Sequence, residues 1–325
     1  MLRNILEFIE SKMKGLKTSV IIPTLNRKTD LEKTLISISE CNRLPFEVII
    51  IDQSDNDETK KFCNNFNKLN IRYLYTDIKS SSLARNIWID NLNRDTDFVL
   101  FLDDDVLLEK DFLSKLEKLF LEYKDAKWWV ANIKSPSRQI TLAKRIWLFL
   151  LSWSFTTDKT FVTAWWFNVM PFKNPLHIEN VEWTSGCGMF FRKSVFDEWF
   201  RFEKRFMKYS LMEDCFLSYW IQVRYPKSLF FVPNIKMTHC ESPASRIANK
   251  QRIYQNIIHR YYFIRKYNKN FCAYLWAMFI FSIFELINYR TVKIIKYYYQ
   301  WLKYVLKNKD KIWNENFDFN KFIFW

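Results

Sequence analysis

Glycine is nearly absent: only 3 of the 325 residues, where average usage near 7% would give about 23. A chain this poor in glycine is not collagen-like and carries no glycine-rich phosphate loop, so other residues must serve wherever the backbone needs φ > 0. The six cysteines (Cys41, Cys63, Cys187, Cys215, Cys240, Cys272) stand 22 or more residues apart. With no C-x-x-C pair they build neither a zinc cage nor a disulfide framework, and read as the reduced thiols of a cytosolic protein. A secretory signal is also missing from the first 15 residues, where Glu7 and Glu10 interrupt any apolar run. Leu2, Ile5, Leu6 and Ile9 at helical spacing instead predict a short lead-in helix within 1–17.

What the chain has in excess is tryptophan, 14 residues, and positive charge, +15 from 50 Lys+Arg against 35 Asp+Glu. Such a charge suits a phosphate-bearing ligand, a nucleic acid or an anionic membrane surface. Its placement favours the membrane. Lys and Arg crowd 244–270 and 290–311, and between them runs FCAYLWAMFIFSIFELIN, 271–288, interrupted by Ser282, Glu285 and Asn288. About 18 residues is near the lower limit for a spanning helix. Basic flanks on both sides favour a helix lying in the membrane plane over a span or an ordinary buried helix. No nucleic-acid-binding module is recognisable, so no nucleic-acid partner is expected.

Along the chain, TSVIIP (18–23), FEVIIID (46–52), IRYLYT (71–76) and TDFVLFLDDD (96–105) read as apolar strands. Helical patterns over 30–39, 59–69, 82–92 and 112–123 alternate with them. Strand–helix alternation with strands buried on both faces predicts an α/β fold with a mostly parallel sheet flanked by helices. From 124 to 180 the pattern is irregular. It resumes with VEWTSGCGMFFRKSVFDEW, a helix around MEDCFLSYWIQVR and a strand SLFFVPN. No linker separates these segments, so the expected division is 1–17 lead-in, 18–240 catalytic domain and 241–325 a basic, aromatic helical tail.

Thr24, Asn26, Asp52 and Asp103 to Asp105 fall at the strands' carboxyl ends, where open α/β sheets bind ligands. Asp103-Asp104-Asp105 after a wholly apolar strand is the strongest signal. Three carboxylates at a strand end repel one another unless a cation sits among them, and acids on such a turn hold Mg²⁺ or Mn²⁺ while substrate phosphates complete the shell. His239, after the last strand, is a candidate third ligand or a packed imidazole. His177 and His259 have no supporting neighbours in sequence.

The segments SVIIPTLNR (19–27), VIIIDQSDNDET (48–59), SLARNI (82–87) and FVLFLDDD (98–105), followed by SGCGMFFRKSVF (185–196) and MEDCFLSY (212–219), resemble the family 2 glycosyltransferases of the GT-A fold. The resemblance implies an inverting transferase that uses a nucleotide-diphosphate sugar. It implies that Pro23, Thr24, Asn26 and Asp52 hold the nucleoside, and that Arg85 helps hold base or diphosphate. Asp103 and Asp105 would bind the metal, with Asp104 between them on the donor side. Asp214 would be the general base, with Glu213 as fallback or acceptor-orienting residue. Ser185, Gly186 and Trp183 would lie on the acceptor side. The chemistry agrees: the dianionic leaving group needs charge neutralisation, and the acceptor hydroxyl needs a carboxylate to take its proton. At a helix start, the macrodipole is expected to keep Asp214 ionised.

The chain departs from the family where glycine is usual. Trp88 ends A-R-N-I-W, and Trp128, Trp129, Trp165, Trp166 and Trp199 fall at further such positions. Tryptophan is a poor substitute where the backbone needs room or φ > 0, and paired tryptophans in polar loops have no evident core. Some bacterial lineages read the codon UGA as glycine while a common translation table prints Trp, so several of these positions are expected to be glycine in the cell, the alternative being genuine aromatics that line an acceptor or membrane surface. Trp183 is expected to be genuine.

The reading is a transferase at the cytoplasmic face of the membrane, peripheral, with a glycan or lipid-linked hydroxyl acceptor in cell-surface polysaccharide or glycolipid synthesis. The alternatives are a GT-A-fold binder without catalysis and, with no glycine-rich loop to support it, a nucleotidyltransferase.

Overall fold

The computed structural model describes residues 15–135, 146, 149–150, 161–162, 168–169, 175–206, 210–242, 249–289, 292–312, 314, 317 and 319. The lead-in helix, Trp165 and Trp166 lie largely or wholly outside them. β-Branched and aliphatic runs form β1 (Thr18–Thr24), β2 (Glu47–Asp52), β3 (Ile71–Tyr75) and β4 (Phe98–Phe101). The helices α1 (Lys28–Ser39), α2 (Glu58–Asn65) and α3 (Ser81–Asp90) connect them. All four strands are mutually parallel in the order β3-β2-β1-β4, as expected when each connection is a helical crossover.

The expected fourth strand is cut short by the acids. After Leu102 the chain turns at Asp103–Asp105 into β5 (Val106–Leu108), and α4 (Phe112–Glu122) follows. Thr34 stitches that turn: its hydroxyl donates to the Asp104 carbonyl at 2.9 Å and accepts from the Val106 N–H at 3.0 Å.

Within the segment that reads as irregular, the structure has β6 (Trp128–Lys134), a buried strand of the main sheet. Trp128 and Trp129, expected in a polar loop, are instead 0% exposed on opposite faces of the sheet. Two-residue strands β7 (Phe161–Val162) and β8 (Asn168–Val169) pair with each other, and β9 (Glu179–Asn180) adds to the main sheet. β10 (Met189–Arg192) enters antiparallel between β4 and β6. After α5 (Ser194–Asp197) and α6 (Glu213–Arg224), β11 (Leu229–His239) pairs parallel with β6 and antiparallel with β5. Its register shifts between Val232 and Lys236, around Pro233, which has no N–H for the ladder.

The tail forms α7 (Asn249–Lys266), α8 (Phe271–Tyr289) and α9 (Lys293–Lys307). These helices share a core with the sheet-bearing part: Phe206, Met212, Cys215 and Phe216 pack with Ile257, Tyr261, Tyr262, Tyr298 and Trp301. Among the described residues no helix is long and apolar enough to cross a membrane.

Candidate active site

Three chain segments meet at the carboxyl edge of β1, β2 and β4. The register of β11 against β5 sets His239 opposite Val106, which brings the imidazole to the acidic turn. His239 Nε2 stands 3.0 Å from Asp105 Oδ1 and 3.9 Å from Asp103 Oδ2. Ligand atoms of Asp103, Asp105 and His239 lie within 4.8 Å of one another. Two carboxylates and an imidazole converging on one point are a donor set that fits Mg²⁺ or, with its greater tolerance for nitrogen, Mn²⁺.

Arg27, which the sequence reading passed over, organises this turn. Its guanidinium donates to Asp104 Oδ1 at 2.7 Å and to Asp105 Oδ2 at 2.6 Å. The Ser242 N–H also reaches Asp105 Oδ2, at 2.8 Å, which leaves Oδ1 turned to His239. The two acids consequently diverge. Burial pushes the Asp104 carboxyl up to about 7, against the pull of Arg27 and the Thr24 hydroxyl, which donates to it at 2.7 Å. Burial also raises Asp105, but His239, the Ser242 N–H and Arg27 outweigh it and hold the group well below the usual carboxylate range. For His239, burial lowers the pKa, and Asp105 and Asp103 more than restore it, so the net direction is upward.

The second half of the site is built on helix starts. Ser80 caps α3, accepting from the Leu83 N–H at 3.2 Å, and this sets Arg85 on the buried face one turn in. Arg85 pairs with Glu213 and, at 3.2 Å, with Asp103 Oδ1. Glu213 also accepts from the Ser82 hydroxyl. Both Glu213 oxygens are therefore engaged inward. Asp214, in the first turn of α6, accepts from the Gly186 N–H at 2.6 Å and from the Cys215 N–H at 2.7 Å. These donors and Arg85 favour the carboxylate, as the helix-start argument expects, yet burial outweighs them and the nearby Asp103 charge adds to it, so the pKa rises. A carboxylate with a raised pKa is a stronger base.

The remaining predicted residues lie around this centre. Asp52 is fully buried and accepts from the Ser54 N–H at 2.9 Å and the Tyr73 hydroxyl at 2.8 Å. Pro23 pairs in register with Ile51. Asn26, at φ +55°, clamps the next loop through Asp55, donating at 2.8 Å and accepting at 2.9 Å. Ser185 and Gly186 are half-buried beside Asp214, whereas Trp183 is only 4% exposed and packs in the core shared with the tail.

The sheet order, with acids at its carboxyl edge, is that of the α/β GT-A fold. The family model for glycosyl transferase family 2 matches residues 19–200, more than half of the chain, and the chain belongs to that family. That membership speaks for the glycosyltransferase reading over the nucleotidyltransferase alternative. Glycosyltransferase GlyA of Streptococcus pneumoniae is 29% identical over 109 residues, 33% of this chain and 15% of that protein. The GalNAc(5)-diNAcBac-PP-undecaprenol beta-1,3-glucosyltransferase of Campylobacter jejuni is 36% identical over 105 residues, 31% of this chain and 33% of that protein. The matches therefore span a third or less of these relatives' length. Among solved structures, S. aureus TarS 1–349 in complex with UDP-GlcNAc superposes with a TM-score of 0.50 at 16% identity, over 83% of this chain and 71% of that one. GalNAc-T7 with UDP, GalNAc and Mn²⁺ gives a TM-score of 0.56 at 13% identity, over 74% of this chain and 48% of that one. These likenesses carry the fold.

Proposed function

We propose that the protein is an inverting, metal-dependent glycosyltransferase that moves a sugar from a nucleotide-diphosphate donor to a hydroxyl acceptor. The observation that carries this reading is the single Arg85 side chain, set between Asp103 of the acidic turn and the Glu213-Asp214 pair. The two halves of the site are thereby held on either side of one small space. Asp103, Asp105 and His239 would hold Mg²⁺ or Mn²⁺. The ion, when bound, supplies positive charge to a departing diphosphate. Pro23, Thr24, Asn26 and Asp52 form the nucleoside side, with Asp104 beneath the diphosphate and Ser185 and Gly186 towards the acceptor, while the buried Trp183 backs that loop from the core.

Asp214 takes the proton from the acceptor hydroxyl as its oxygen bonds to the anomeric carbon. The bond from that carbon to the phosphate oxygen breaks, and its electron pair leaves with the nucleoside diphosphate. One base and one displacement invert the anomeric centre. The names of the TarS and GalNAc-T7 complexes support a uridine diphosphate sugar as donor. The test is the anomeric configuration of the product by NMR, with and without chelator: an inverted product that disappears with EDTA is expected. Retained configuration or chelator-resistant turnover would overturn the mechanism.

The same reading places the acceptor at an anionic bilayer on the cytoplasmic face, with 18–240 as catalytic domain and 241–325 as docking tail. From 249 to 307 there are eleven Lys and Arg against one acid, and that acid, Glu285, is buried against Arg252 at 2.6 Å. Trp276, Phe279 and Ile287 of α8 are solvent-exposed. Exposed apolar side chains on a helix flanked in sequence by two basic ones suit insertion beneath anionic headgroups. Sedimentation with phosphatidylglycerol vesicles, lost in Phe279→Glu and absent with phosphatidylcholine, is the expected result. Equal sedimentation with both lipids would contradict it.

A further inference from the structure

The turn that delivers Glu213 and Asp214 is built from unfavourable backbone. Ser210 has φ +48° and Met212 φ +72°, both in the left-handed region that side chains other than glycine rarely adopt. Something must hold such a turn. Inside it, the Glu213 N–H donates to the Ser210 carbonyl at 3.1 Å, and the Ser210 hydroxyl donates to the Phe206 carbonyl at 2.6 Å. From outside, a tail residue enters. His259 of α7 places Nδ1 2.7 Å from the carbonyl of Leu211, the residue between the two left-handed positions.

A carbonyl only accepts, so Nδ1 carries the hydrogen. The ring lies flat on Phe206, centroids 3.9 Å apart and planes 14° from parallel. Phe206 is the same residue whose carbonyl holds Ser210. Ring and N–H thus brace one turn at two points. The side chain is 2% exposed, and burial depresses its pKa to about 4, so the neutral Nδ1–H form prevails at physiological pH.

We propose that His259 is the positioning residue that fixes the turn presenting Glu213 and Asp214, which makes α7 part of the active-site scaffold as well as of the tail. This rests on Asp214 being the base. A base displaced by a fraction of an ångström loses its alignment with the acceptor proton, while the donor subsite on β1, β2 and β4 stays as it was.

The test uses the full chain and two variants. His259→Phe keeps a flat ring on Phe206 but has no N–H, and His259→Asn returns an N–H near the Nδ1 position. In His259→Phe, kcat is expected to fall about ten-fold with the donor KM within about two-fold. Hydrogen exchange at the amides of 213–216 is expected to quicken about ten-fold, with those of α8 and α9 unchanged. His259→Asn is expected to recover much of both. Unchanged kcat and exchange in His259→Phe would overturn the proposal, and so would exchange that quickens equally through α8 and α9. If the unaltered protein transfers no sugar, the reading of Asp214 fails, and the exchange measurement still decides whether His259 fixes the turn.

Discussion

The backbone N–H of Gly186 donates to Oδ2 of Asp214 at 2.6 Å, tying the loop before β10 to the first turn of α6. Residues 28 apart in sequence thus fix a half-buried carboxylate beside the loop that leads into β10. The Arg85 guanidinium lies close behind: a methyl added at Gly186 would sit 3.5 Å from Oδ2 and 3.8 Å from the nearer Arg85 nitrogen.

Glu213 earns its place through Arg85. Glu213→Gln keeps the shape and removes the charge that holds the guanidinium between the two halves of the site. Loss of one partner of a buried pair strands the other. A kcat about ten- to a hundred-fold lower is expected, with the fold retained by circular dichroism. A variant with undiminished kcat would show that the pair does not serve the reaction.

Gly188 is the glycine the fold requires. It sits at φ +77°, and a Cβ there would approach Met237 Sδ to 2.7 Å. Gly188→Ala therefore combines a left-handed alanine with a clash against Met237 of β11, and should destabilise by roughly 2 kcal/mol in urea unfolding. Gly186→Ala meets only ordinary contacts and should leave the urea midpoint nearly unchanged.

His259 gives the protein an acid sensitivity whose sign is fixed. Its pKa falls from 6.5 to about 4 on folding through burial, partly offset by the Leu211 carbonyl and the charge of Glu203. The unfolded chain then binds the extra proton between those values while the folded chain does not. The associated stability is fully present above 6.5 and is lost as pH falls towards 4, roughly 3 kcal/mol in all. Unfolding free energies from pH 7 to pH 4.5 should decline less steeply in His259→Asn than in the unaltered protein. Equal slopes would remove His259 as the cause.

The tryptophans divide into two groups. Trp199 has φ +70° and is 81% exposed, a left-handed surface position that glycine fits without cost. We expect Trp199→Gly to stabilise by about 1 kcal/mol, read as a raised Tm, and codon 199 to be UGA. Trp88, Trp128 and Trp129 are packed in the core, and for the pair Trp128 and Trp129 this overturns the expectation that adjacent tryptophans have no core to enter. Each nonetheless leaves its indole N–H buried without a hydrogen-bond partner, which carries an energetic cost. At these three positions a UGG codon would mark a genuine aromatic.

The amino-terminal half of the fold was legible because its signals are local. The apolar runs of β1, β2 and β4 and the periodic helices between them fix a parallel sheet, and Asp103 to Asp105 stand where β4 must end. The observed helices Lys28–Ser39, Ser81–Asp90 and Glu213–Arg224 start or end within about two residues of the sequence-predicted ones. β6 was hidden because WWVANIK opens on two tryptophans whose burial depends on both faces of a sheet assembled from distant strands. In the site, the acids announced themselves by position. Arg27 did not, since an arginine after a turn usually faces solvent. His259 did not either, since its partner is a backbone carbonyl 48 residues away.

The most direct test of the account is nucleoside diphosphate release by Asp214→Asn and the unaltered protein. It would be followed with Mn²⁺, a panel of sugar nucleotides and a membrane-lipid acceptor extract, with donor binding measured in parallel. The account predicts acceptor-dependent release by the unaltered protein, and a loss of about a hundred-fold or more in Asp214→Asn with donor affinity preserved. Release by Asp214→Asn at the rate of the unaltered protein would contradict it.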